Sequence, residues 1–139
     1  MQLPIELQHF PHLTLLVISD HITSKFFLVG GESLEILDSI TVPYDIRPNH
    51  EGSFIPEHSH IDENHLKHFA KLVAEHISKL VIQHAIIYVD LIMPANIEHL
   101  VTANLHPNIS KKLNRKLHID IMKEDIFDII KRIQKKIMA

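Results

Sequence analysis

The chain has no cysteine and no tryptophan, and only three glycines and two tyrosines among 139 residues. Without cysteine there is no disulfide, no thiolate nucleophile and no sulfur-ligated zinc. Few glycines and a 45% apolar composition exclude a disordered or low-complexity chain and fit one compact domain over residues 1–139. The formal charge of −3 provides no broad basic surface. No apolar run approaches the roughly 18 residues of a membrane helix. The first ten residues, with Pro4 and Glu6 and no basic start, do not read as a signal peptide. The expectation is a cytoplasmic protein without a membrane partner.

Histidine is abundant. Protonating all 13 would carry the formal charge from −3 to +10. Replacement of other polar surface residues accounts for such a number; a metal site or a response to pH would use it.

Apolar patterning divides the chain. Leu13–Ser19 is nearly all apolar, as in a strand covered on both faces. Ser24–Val29 follows after a short connection, and Gly30-Gly31-Glu32-Ser33 supplies a hairpin turn. A third strand spans Leu34–Val42, with an uncertain register around Asp38, and Pro43 ends it. Residues 43–60 form a long loop with three prolines and three histidines, expected to be the least ordered internal segment. Leu66, Phe69, Ala70, Val73, Ile77 and Leu80 recur at helical spacing and predict a helix over about Asp62–Val81. Ser59 or Asp62 would cap it. Ala85–Asp90 reads as a buried strand, and Pro94 opens a helix with Ile97, Leu100, Val101 and Leu105 inward. Leu117–Ile121 alternates as a fifth strand, and a last helix runs from about Lys123 to Ile137.

Three strands followed by alternating helices and strands imply a ribonuclease H-like α/β fold. Its three layers would hold a five-stranded mixed sheet of order 3-2-1-4-5. Strand two would run antiparallel to the rest, with helices on both faces.

The segments LTLLVISDHITSKFFLV and HLKHFAKLVAEHISKL, taken with this element order, resemble the bacterial family called "protein required for attachment to host cells". That family's first strand leads to an Asp and then to a small-basic-x-Phe strand, matched here by Asp20, Ser24, Lys25 and Phe27. Phe69-Ala70 matches a Phe-Ala pair of its long helix, and residues 94–137 match its α–β–α ending. The resemblance covers residues 12 to 137. The family is similar in turn to the middle domain of eukaryotic and archaeal peptide-release factors. The likeness implies a link to ribosomes or tRNA, and the family name a role at the bacterial surface. Release factors hydrolyse peptidyl-tRNA with a Gly-Gly-Gln loop. The only Gly-Gly here is Gly30-Gly31, with Glu32 after it, and the long loop holds Gly52 and no glutamine, so that activity is not expected.

Three further chemistries have candidate residues. A two-metal nuclease with magnesium or manganese would draw on Asp20, Asp90, Glu63 or Glu75, and Asp125 or Asp128. A zinc or nickel site would use His58, His60, His65 and Asp62, with His50 earlier in the loop. A phosphate contact would use Lys111, Lys112, Arg115 and Lys116, with Lys131, Arg132, Lys135 and Lys136 as a second cluster. With no interleaved aromatics, such a contact would carry little base readout. The reading that fits best is a binding or adaptor module without a cofactor, acting on a protein or ribonucleoprotein partner.

Overall fold

The computed structural model describes residues 12–31, 33–43, 63–118 and 130–131. Its elements are β1 (Thr14–Ser19), β2 (Thr23–Gly30), β3 (Ser33–Thr41), α1 (Glu63–His84), β4 (Tyr88–Ile92), α2 (Ala95–Asn104), α3 (Pro107–Ser110) and β5 (Leu113–Leu117). The sheet has the order β3-β2-β1-β4-β5. β2 pairs antiparallel with β1 and β3, and the β1–β4 and β4–β5 pairs are parallel. Order and directions agree with the sequence reading.

Alternation along the strands sets two faces. Leu15, Val17, Phe26, Val89 and Leu91 belong to the main core, where they meet Phe69, Ala70, Val73 and Ile77 of α1 and Ile97 and Val101 of α2. The α1 stripe is as its spacing predicts. Leu16, Ile18, Phe27, Val29 and Ile92 occupy the opposite face and are also closed to solvent. Ile130 is helical and fully buried and does not belong to the main core cluster. Apart from Ile130 and Lys131, the helix expected over about residues 123–137 lies outside the described residues.

The irregular register near Asp38 is a β-bulge. Phe26 pairs with Asp38 and Phe27 with Ile36, so Leu37 is the extra residue. At the hairpin, Gly31 adopts φ +53°, which glycine takes without a Cβ penalty.

Three boundaries differ from the sequence reading. α1 continues to His84, and Ala85, expected in a strand, ends it at φ +50°. The Ile86 N–H then bonds the Val81 carbonyl at 3.2 Å, the six-to-one closure of a Schellman motif. β4 therefore starts at Tyr88 and runs to Ile92, which places Asp90 in mid-strand rather than at the strand's last position. β5 is Leu113–Leu117, four residues earlier than the alternating Leu117–Ile121 stretch suggested. Alternation alone did not distinguish the two, because Leu113 and Leu117 share a parity with Ile119 and Ile121. Among the described residues no helix is long and apolar enough to cross a membrane.

Candidate functional site

The parallel strands β1, β4 and β5 all end at one edge of the sheet, and polar side chains gather there. Ser19 ends β1, and Asp20 turns the chain: its Oδ1 accepts the N–H groups of Ile22 at 2.7 Å and Thr23 at 2.6 Å. This is an Asx turn, the short polar side chain replacing a backbone acceptor. His21 at its tip lies 3.2 Å from Asn96 Oδ1 through Nε2, which links the turn to the start of α2. His65 in the first turns of α1 donates from Nε2 to the His21 carbonyl at 3.0 Å, and its ring stacks on Phe69 at 6.2 Å. His21 therefore ties β1 to both helices.

Glu98, in the first turn of α2, is the centre of a second group. Its side chain is buried, yet Lys116 Nζ and His118 Nε2 each lie 3.3 Å from Oε1. Thr102 donates to Oε2 at 3.1 Å, and His99 Nδ1 is 3.8 Å from the same oxygen. Burial would raise the Glu98 pKa, but bonds from His118, Lys116 and Thr102 and the charge of Lys116 outweigh it and hold the carboxyl below its ordinary value. The group pins the edge strand β5 to α2, and its carboxylate is already occupied by donors.

The third polar group is inside the sheet. Asp90 is 1% exposed on the face opposite α1. Its Oδ1 accepts from the Arg115 backbone N–H at 3.1 Å; its Oδ2 is buried with no hydrogen-bond partner among the described residues. Burial pushes its pKa up to about 6, against the opposing charge and hydrogen bond of Arg115.

These placements redistribute the residues singled out from sequence. Asp20 and Asp90 do not converge. Asp90 pairs with Leu16, four residues before Asp20, so their backbone positions are offset by roughly 13 Å along the strand direction at about 3.3 Å per residue. Glu63 is exposed and pairs with Lys67 at 3.4 Å, and Glu75 is exposed. Asp125 and Asp128 lie outside the described residues, as do His50, His58, His60 and Asp62. Among the described residues no group of three or more ligating side chains could hold a metal ion. The basic cluster does not form one patch. Lys111 is exposed and Lys112 half-buried in the turn before β5, whereas Arg115 and Lys116, adjacent in the strand, address opposite faces, toward Asp90 and Glu98. Of the second cluster, Lys131 is exposed; Arg132, Lys135 and Lys136 lie outside the described residues.

Sequence reasoning missed Glu98, His118 and the His21–Asn96 link. The Glu98 group was hidden by the displaced fifth strand. With β5 at Leu113–Leu117, Lys116 and His118 share a parity and face the helix that follows β4.

No protein-family model matches the chain, and no curated protein matches it in sequence. Solved structures do match. The crystal structure of archaeal translation termination factor aRF1 gives a TM-score of 0.54 at 16% identity, covering 91% of this chain and 39% of that one. An archaeal protein gives the same TM-score and identity, over 91% and 38%. Dom34 of S. cerevisiae, a translation termination-like factor involved in RNA quality control pathways and interacting with Hbs1, gives 0.48 at 12%, over 90% and 37%. The chain thus spans about two fifths of the length of the structures it resembles. At these identities the likeness is one of fold alone: an α/β domain with a mixed five-stranded sheet.

Proposed function

We propose that the chain is a binding module of the translation apparatus that acts by docking to a ribonucleoprotein partner. The observation that supports this reading is the likeness in fold to an archaeal termination factor across 91% of the chain. The chemistry of the described residues is consistent with it. Asp20 is engaged in a turn, Glu98 is saturated by donors, and Gly31 sits in a hairpin followed in sequence by Glu32 where a hydrolytic loop would need glutamine. Lys111 and Lys112, beside each other before β5, are the cations that would meet phosphate. The resemblance to the host-attachment family favours a binding role as well, and a surface role for that family would use the same fold.

The test is co-sedimentation of the purified protein with purified bacterial ribosomes and, separately, with bulk tRNA. Binding at about 0.1 M salt that is lost as salt rises is expected of phosphate contacts, through counterion release. A protein that stays at the top of the gradient at low salt, with ribosomes and with tRNA alike, would refute the proposal.

A further inference from the structure

We draw no further inference here: the strongest candidate, the cluster of Lys116, His118 and His99 around the buried Glu98 at the polar edge of the sheet, belongs to the site already described, where the carboxylate is held by its own donors and nothing in the structure shows what would cover it.

Discussion

Asp90 Oδ1 accepts the Arg115 backbone N–H at 3.1 Å, at the place where the β4–β5 ladder slips by one residue. Val89 pairs with Leu113 and Asp90 with Arg115, so Asn114 is the extra residue. A bulge leaves part of the ladder unpaired, and here the carboxylate accepts an N–H beside the slip. Arg115 offsets part of the cost of the buried charge, and burial still dominates.

That balance predicts a pH dependence. In the folded chain Asp90 titrates near 6, above its ordinary 3.8, so between these values the folded state holds a proton that the unfolded state has released. Stability should fall as pH rises through this window, by roughly 3 kcal/mol in total. Asp90→Asn should remove that slope. Urea melts of both proteins from pH 4 to pH 7 measure it, and subtracting one curve from the other cancels groups common to both. Parallel curves would show that Asp90 titrates as an ordinary carboxyl.

Glu98 should act with the opposite sign. Its folded pKa lies below the ordinary 4.5, so its contribution is present above that value and is lost as pH falls through the folded pKa. Glu98→Gln should cost about 1–2 kcal/mol at neutral pH, a charged hydrogen-bond set discounted because Lys116 and His118 remain 40% and 43% exposed. The difference from wild type should shrink in acid. A cost unchanged at pH 3 would mean that lost packing, not charge, is responsible.

Ala85 ends α1 in the left-handed region, at φ +50° and exposed. An L-residue with a Cβ is strained there by roughly 1–2 kcal/mol, while glycine is not. Ala85→Gly should therefore raise stability by about 0.5–1 kcal/mol, the remainder being offset by the extra freedom of glycine in the unfolded chain. Destabilisation in a denaturant melt would mean that the helix ends differently in solution.

Phe69 tests the core. It is fully buried among α1 and sheet residues, and Phe69→Ala should cost about 3–5 kcal/mol. A loss below about 1 kcal/mol would contradict that packing.

The parts of the fold legible in the sequence were those set by long apolar periodicity. The α1 stripe from Leu66 to Leu80 and the continuous run of β1 each admit one reading, and element order with right-handed crossovers then gives the strand order. The boundaries that depend on a single backbone state were not legible. Nothing in the identity of Ala85 signals a left-handed residue, since glycine is the usual one. β5 was misplaced because its residues, LNRKL, are mostly polar, as an edge strand tolerates when its partners are carboxylates from other elements. The candidate site suffered most from this. Lys116 and Arg115 look like one cationic cluster in sequence, and only their adjacency in a strand separates them onto two faces.

The same separation governs the last prediction, for metal-dependent cleavage. Two-metal catalysis needs carboxylates that hold the ions about 3.5–4 Å apart. Asp20 spends its Oδ1 on two backbone N–H groups at the end of β1, and Asp90 lies opposite Leu16, roughly 13 Å back along the strands. Asp90 also faces Arg115, whose charge opposes a cation there. With magnesium or manganese, the protein should leave single-stranded, duplex and hybrid nucleic acid intact in a gel assay. Cleavage that disappears in both Asp20→Asn and Asp90→Asn would establish the nuclease reading and require the two strand ends to close on each other. Cleavage that survives both substitutions would point to other carboxylates, and Asp125→Asn and Asp128→Asn would then locate them.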